Sequence, residues 1–274
     1  MRRYFSTTAY RYPNERLILA ITIILVLLVI ALTATATVCL SVVFVIGALL
    51  LSYQFSRSHT RRLMALGTAV TPSNAPELAG LIQETAVLLQ VEPVVVYIIN
   101  QRAINAYTFG LSSPKVLVLF SSLLHVMDRD ELQFVIGHEM GHVRLGHTWL
   151  NSLVGGMAGI PSSLGAAVLL EAAFRWWNRA CELSADRAGL LACGNPNKAI
   201  SALIKLEAGE EGHTPAGLQH ALERIEVEDD DPLNNLGELL ATHPMIVRRI
   251  EQIRRYAASS EYRSLQERLN QNVA

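Results

Sequence analysis

The sequence predicts a mainly α-helical fold with a small antiparallel β-sheet, placed behind an N-terminal transmembrane helical hairpin. Three observations support this α+β assignment. Residues 17–53 carry no charged side chain, and three short β-branched runs lie between residues 94 and 120. Most of the remaining chain has the apolar spacing of amphipathic helices. The 51% content of hydrophobic residues and the mean hydropathy of +0.29 agree with a chain that is partly embedded in a membrane.

The N-terminal region is divided into a cytoplasmic segment, residues 1–16, and the hairpin, residues 17–54. A single helix over residues 17–53 would be about 55 Å long, whereas the hydrocarbon core of a bilayer is about 30 Å thick. Two shorter helices with a turn near residues 33–37 therefore fit better than the alternative, one long tilted helix. Arginines flank the hairpin on both sides, and the positive-inside rule places both flanks in the cytoplasm. We expect an integral membrane protein, in the inner or plasma membrane if the source is bacterial, whose main domain faces the cytoplasm.

Composition excludes two other classes of protein. The net charge of −1 gives no basic excess, so we expect no nucleic-acid partner. The three cysteines, Cys39, Cys181 and Cys193, form no disulfide framework and suit a reducing compartment.

The most informative motif is His138-Glu139-Met140-Gly141-His142, or HExxH. Residues four apart on a helix lie on the same face, so the two imidazoles can bind one Zn²⁺ through ring nitrogens. Glu139 would then lie near the ion and could accept a proton from the attacking water. The alternative is a surface helix with two histidines that bind no metal.

The third ligand is predicted to be Glu182, in a second apparent helix. Asp186 lies four residues later, on the same face, where its carboxylate can accept the second ring N–H of a zinc-bound histidine. The alternative is an ordinary exposed pair, but like charges at this spacing are unfavourable without a cation to share. His147, five residues after His142, lies off the ligand face and is predicted not to be a ligand. The sequence thus predicts one Zn²⁺ per subunit.

The HExxH motif followed by E-x-x-A-D from Glu182 resembles the membrane-anchored zinc metallopeptidases of the heat-shock HtpX type. These are gluzincins related to the CAAX prenyl endopeptidases. The resemblance implies a gluzincin-like zinc metallopeptidase domain over residues 55–274. It also implies that a strand bearing Asn105 and Ala106 lines the cleft and pairs with extended substrate. The alternative at Asn105 is a plain hairpin turn.

The same resemblance extends to the C-terminal part of the chain. Relatives carry His-Pro with an arginine six residues after the histidine, and His243 and Arg249 match this pattern. The resemblance implies that both groups reach the cleft, where they could stabilise the oxyanion of the tetrahedral intermediate. The alternative is a helix that begins at Pro244 and leaves Arg249 on the surface.

Residues 148–177 are apolar and rich in glycine, and members of this family often have a second membrane hairpin here. A single crossing between His142 and Glu182 would place two zinc ligands on opposite sides of the membrane. The uninterrupted apolar core, residues 153–170, is too short for two crossings. This insert is therefore expected either to dip into the membrane and return or to pack on the protein at the bilayer surface.

Together these features predict a membrane-anchored zinc endopeptidase that hydrolyses peptide bonds, with Glu139 as general base. Its partners would be protein or peptide substrates and the lipid bilayer, and the resemblance implies a role in membrane-protein quality control. A competing hypothesis is a catalytically weak, zinc-binding membrane scaffold or chaperone-like binder, against which the intact Glu139 argues. An intramembrane protease is disfavoured because charged residues closely flank the HExxH helix.

Overall fold

The computed structural model describes residues 9–36, 64–110, 113–149, 165–229 and 246–273, with isolated positions between residues 43 and 62. The helices are α1 Glu15–Ala36, α2 Pro76–Leu89, α3 Leu123–Val126, α4 Arg129–Leu145, α5 Gly165–Cys193, α6 Pro196–Ala208, α7 Pro215–Asp229, α8 Ile246–Ala257 and α9 Ser260–Val273. The strands are β1 Thr68–Ala69, β2 Val94–Ile99, β3 Ala106–Phe109 and β4 Lys115–Phe120. This mainly helical architecture with one small sheet confirms the predicted α+β class.

The prediction of an antiparallel sheet is wrong, because the observed sheet is mixed. Its order is β1-β2-β4-β3, with β2 and β4 parallel and the two outer pairings antiparallel. Strand β4 is the most apolar of the four, and Leu117, Val118 and Leu119 are fully buried. Such a strand is most stable in the centre, where both faces are covered. It therefore separates β2 from β3 and leaves β3 at one edge of the sheet.

Helix α4 carries the HExxH motif and runs through the main hydrophobic core. It begins with a capping box: the Asp128 carboxylate accepts from the backbone N–H of Asp130 (3.1 Å) and Glu131 (3.0 Å), and the Glu131 carboxylate accepts from the N–H of Asp128 (2.9 Å). It ends at Gly146, whose φ of +83° closes the last turn. Residues 131–142 are buried without interruption, so the polar side chains among them need partners from neighbouring elements.

Helices α4 and α5 pack with their backbones unusually close together. A Cβ atom on Gly137 would lie 2.6 Å from Cβ of Ala192, and one on Gly141 would lie 2.7 Å from Cβ of Ala188. Only glycine on α4 and a small residue on α5 permit this approach. The close crossing brings the functional side chains of the two helices within reach of one another.

Helix α1 packs against the middle of α5. Ile18 lies in a small apolar cluster with Trp177, Ala180 and Cys181, and the Thr22 hydroxyl donates to the backbone oxygen of Ala173 at 3.2 Å. Other apolar side chains of α1 are more than half exposed: Leu17, Ile24, Leu27 and Leu28.

The hairpin predicted over residues 17–54 lies only partly in the described structure, which omits most of residues 37–54. Within the part of the chain that is described, no helix has both the length and the apolar character needed to cross a membrane.

The predicted insert at residues 148–177 is also only partly described, since residues 150–164 lie outside the described structure. From Gly165 onward the chain forms α5, a helix of 29 residues that continues to Cys193. Residues 165–177 and Glu182 therefore belong to the same helix.

Candidate metal centre

The three side chains predicted as metal ligands converge in the structure. Helix α4 supplies His138 and His142, whose Nε2 atoms lie 3.2 Å apart, and α5 supplies Glu182. One oxygen of Glu182 lies 3.5 Å from Nε2 of His138, and the other lies 3.4 Å from Nε2 of His142. All three residues are buried. The four-residue spacing on α4 and the close crossing of α5 together produce this arrangement.

The charges around these donors fit a divalent cation. Among the described residues, the carboxylates of Glu139, Glu182 and Asp186 are buried, and the guanidinium of Arg249 contacts two of them, Glu182 and Asp186. In this described part of the site the carboxylates outnumber the guanidinium, and a buried site must neutralise such an excess of negative charge. Burial lowers the pKa of His138, but the carboxylates of Asp186 and Glu182 outweigh burial and raise this pKa to about 10. The site thus favours positive charge, and the three donor groups could hold one metal ion.

Asp186 lies behind the ligand His138 rather than beside the metal position. Its Oδ1 is 3.0 Å from Nδ1 of His138, so the imidazole can donate from Nδ1 while Nε2 is directed at the other ligands. Arg249 donates to the same carboxylate twice, from Nε at 2.8 Å and from Nη2 at 2.6 Å. Burial raises the pKa of Asp186, but Arg249 and His138 lower it below the usual range. The carboxylate is therefore ionised and held in place.

Of the two residues that the resemblance placed near the cleft from the C-terminal part, only Arg249 is described. It lies on α8, lines the cleft and has Nη2 3.6 Å from an oxygen of Glu182, in addition to its two bonds to Asp186. His243 lies outside the described residues.

Glu139 has a hydrogen-bond partner that the sequence motifs did not predict. The structure places Thr108 of β3 beside it, and the Thr108 hydroxyl donates to Oε2 of Glu139 at 3.0 Å. Alternate residues of a strand share a face. Thr108 follows Ala106 by two residues in the proposed substrate strand, so this spacing could have predicted that Thr108 faces the cleft.

The residues predicted to bind substrate line the same cleft as the ligands. This cleft has a volume of about 620 Å³ and includes residues 103–108 together with His138, His142 and Glu182. Asn105 is exposed and Ala106 is buried. Strand β3 pairs with β4 along one side and lies at the edge of the described sheet. An extended peptide could add to such an edge.

An HExxH helix crossed by a second helix that supplies a glutamate, beside the edge strand of a small sheet, defines a metallopeptidase of the HExxH class. Residues 72–257 match the model of peptidase family M48, and the chain belongs to this family. It is a metalloprotease, and the resemblance to the HtpX type is confirmed.

Three relatives illustrate this similarity. The chain is 32% identical over 234 residues to the plastoglobule-localized metallopeptidase 48, chloroplastic, of Arabidopsis thaliana, which covers 78% of this chain and 67% of that protein. It is 26% identical over 270 residues to a protease HtpX homolog of Methylibium petroleiphilum, covering 86% and 94% of the two chains. It is 27% identical over 258 residues to a protease HtpX homolog of Streptococcus gordonii, covering 78% and 85%.

Proposed function

We propose that the chain is a membrane-anchored, zinc-dependent endopeptidase whose catalytic domain faces the cytoplasm. The observation that carries the proposal is the convergence of His138, His142 and Glu182 beside the carboxylate of Glu139. Two imidazoles and one carboxylate form the donor set of a catalytic zinc site, in which the fourth position stays open.

The distances between the donor atoms support zinc as the metal. Zinc binds nitrogen and oxygen at 2.0–2.2 Å with tetrahedral geometry, so two of its ligand atoms lie roughly 3.3–3.6 Å apart. The two imidazole Nε2 atoms lie 3.2 Å apart. Nε2 of His142 lies 3.4 Å from one oxygen of Glu182, and Nε2 of His138 lies 3.5 Å from its other oxygen. The ligands are therefore arranged for such an ion without a large movement of either helix.

The chain's own groups then account for peptide hydrolysis. Zinc, when bound, supplies a Lewis acid that polarises the peptide carbonyl and lowers the pKa of the attacking water. Glu139 takes a proton from that water and passes it to the leaving amine, and Thr108 holds the Glu139 carboxylate in position. Asn105 and Ala106 bind the extended substrate at the edge of β3. Arg249 holds Asp186, and together with His243 it stabilises the negative charge that develops on the carbonyl oxygen.

Several features support a membrane anchor. Residues 17–53 contain no charged side chain, arginines lie before and after this stretch, and several apolar residues on α1 are exposed. The hydrogen bond between Thr22 and Ala173 joins this stretch to residues 165–177, which supports membrane association of the insert as well. An active site close to a membrane anchor would be near substrates that are themselves membrane proteins, in agreement with a role in their quality control.

The test is degradation of casein by the detergent-purified protein, with and without a chelator, beside the Glu139→Gln variant. Glutamine keeps the size of the side chain but cannot act as the base, so we expect zinc to remain bound and cleavage to be lost. Zinc analysis of Glu182→Ala should show loss of the metal. If wild type and Glu139→Gln degrade casein equally, the protease proposal fails and a zinc-binding scaffold is favoured.

A further inference from the structure

A second cluster of buried polar groups lies directly behind the ligand His142. It consists of Glu15, His147, Cys181 and Ser184, each exposed by 1% or less. Glu15 belongs to α1, and His147 follows the end of α4. Nothing in the hydrolytic mechanism above uses these groups, yet burial of a carboxylate and an imidazole is costly unless they serve as partners to one another.

The cluster joins His142 to the N-terminal helix through two hydrogen bonds. Nδ1 of His142 lies 3.0 Å from Nδ1 of His147, and Nε2 of His147 lies 3.1 Å from Oε1 of Glu15. Because Nε2 of His142 faces the other ligands, its hydrogen is on Nδ1 and is donated to Nδ1 of His147. Since Nδ1 of His147 accepts this hydrogen bond, the ring hydrogen of His147 is on Nε2 and is donated to Glu15. With this arrangement of protons, Nδ1 of His142 and both ring nitrogens of His147 each have a hydrogen-bond partner.

Glu15 is itself held firmly. Arg11 forms an ion pair with its Oε1, and the Ser184 hydroxyl donates to its Oε2. Arg11 also donates from Nη2 to the backbone oxygen of Leu145 at 3.2 Å, and the backbone N–H of Tyr12 donates to the Ser184 hydroxyl at 2.7 Å. The start of α1 is thereby tied to the last turn of α4 and to α5.

A second metal ion is a poorer explanation of this cluster than a positioning role. The negative charge of Glu15 is already balanced by Arg11, whereas carboxylates outnumber the guanidinium of Arg249 among the described residues of the ligand site. Cys181 would have to bind as a thiolate, and burial raises the pKa of this thiol far above its usual range. The charges in this cluster are therefore balanced without a metal ion.

We propose that His147 and Glu15 are positioning residues for the metal ligand His142, so that the N-terminal helix takes part in holding the metal. This inference rests on the proposed zinc site. Asp186 orients His138 from α5, and Glu15, acting through His147, orients His142 from α1. Hydrogen-bond partners behind a metal-binding histidine fix its tautomer and ring orientation, and their loss typically weakens metal binding about 10- to 100-fold.

The test measures the zinc dissociation constant of the full-length protein, by competition with a chromophoric chelator, and the visible spectrum of the Co²⁺-substituted protein. His147→Phe keeps a ring of similar shape but removes both hydrogen bonds, and should weaken zinc binding about 10- to 100-fold and change the Co²⁺ bands. His147→Asn keeps an acceptor for His142 and should recover part of the affinity. Glu15→Gln keeps an acceptor for His147 and should stay within a few-fold of wild type.

The matched control is Thr22→Val, which removes a different hydrogen bond between α1 and α5, the one from Thr22 to Ala173, and leaves the contacts among Glu15, His147 and His142 in place. It should bind zinc as wild type does. If folded His147→Phe binds zinc within twofold of wild type with an unchanged Co²⁺ spectrum, the inference is refuted. Equal losses in Thr22→Val and His147→Phe would also refute it, because the effect would then come from docking of α1 in general. If His147→Phe does not fold, His147→Leu decides, because this smaller side chain also removes both hydrogen bonds. An affinity equal to that of wild type then overturns the inference.

These outcomes are separable from failure of the proposed function. If the wild-type protein binds no zinc, or cleaves casein no better than Glu139→Gln, the protease proposal itself is wrong. If it binds zinc and cleaves casein but the variants at His147 are unaffected in zinc binding and Co²⁺ spectrum, only the positioning role is wrong.

Discussion

Replacing Gly141 with alanine should disrupt the crossing of α4 and α5 and, with it, the metal site. The new Cβ would lie 2.7 Å from Cβ of Ala188 and 3.3 Å from Cα of Ala185. Carbon atoms in contact are normally about 3.5–4.0 Å apart, so the helices would have to separate by roughly 1 Å. No flexible side chain can absorb this change, because the contacted atoms belong to the backbone or are bound directly to it.

Gly141→Ala should reduce zinc binding more than it reduces the free energy of unfolding. Ligand distances in metal sites hold within about 0.2 Å, and a misplacement of 1 Å can cost about 100-fold in rate. We therefore expect Gly141→Ala to lose most of its zinc affinity and to lower kcat/KM by about 100-fold. Overpacking of a core costs about 1–3 kcal/mol, whereas the higher helix propensity of alanine returns up to about 1 kcal/mol.

The control is Gly80→Ala on α2, where the added Cβ would meet no atom within 4 Å. It has the same gain in helix propensity without the clash, so comparing the two variants isolates the clash. For domains of 150–250 residues, 1 kcal/mol shifts Tm by about 2–4 °C. Gly141→Ala should therefore melt roughly 2–12 °C below Gly80→Ala. If both variants melt together and bind zinc equally, the close packing of α4 on α5 does not define the site.

Three further changes test the surroundings of the site. Thr108→Val removes the hydroxyl that donates to Glu139 and should lower kcat about 10-fold with little change in KM, whereas Thr108→Ser should retain activity. Steady-state kinetics on a peptide substrate measure this. Equal kcat values for wild type and Thr108→Val would contradict it. Asp186→Asn places an amide against Arg249 and should weaken zinc binding about 10- to 100-fold in a chelator competition, and unchanged affinity would contradict the role of Asp186. Asp128→Ala removes the cap of α4 and should cost about 1–2 kcal/mol in urea unfolding at neutral pH. Burial raises the pKa of Asp128, but Lys198 and the backbone amides lower it below its usual value. The stabilisation from the cap is therefore complete above about pH 4 and is lost as pH falls through the folded-state pKa. The difference in free energy of unfolding between wild type and Asp128→Ala should accordingly disappear in acid.

Local patterns in the sequence predicted the parts of the site that depend on local geometry. The spacing of His138 and His142 requires only that the segment be a helix. Glu182 and Asp186 could be paired because two acidic residues on one helix face need a shared cation or donor.

Contacts between distant segments were missed for a physical reason. Thr108 reaches Glu139 only because β4 occupies the centre of the sheet and leaves β3 at the edge facing α4, and strand propensity does not specify the order of pairing. The contact between His147 and Glu15 spans 132 positions of the chain. It depends on where α1 docks, which no periodicity within either segment encodes. The off-face position of His147 predicts that it is not a ligand, but it gave no sign that His147 would contact one.

The docking of α1 links the position of this helix to the metal ligand His142. The two imidazoles of the HExxH motif belong to one helix, but they are supported by different parts of the chain: Asp186 lies on α5 within the domain, whereas Glu15 lies at the first turn of α1. If α1 continues into the bilayer, as we propose, a tilt of that helix would move Glu15 and loosen His142 while leaving His138 in place. We therefore expect the zinc affinity of the wild-type protein to depend on bilayer thickness in vesicles, because helix tilt responds to it. This dependence should be absent in His147→Phe, in which the link to α1 is already broken. A zinc affinity that stays constant across vesicles of different thickness would show that α1 anchors the domain without acting on its metal.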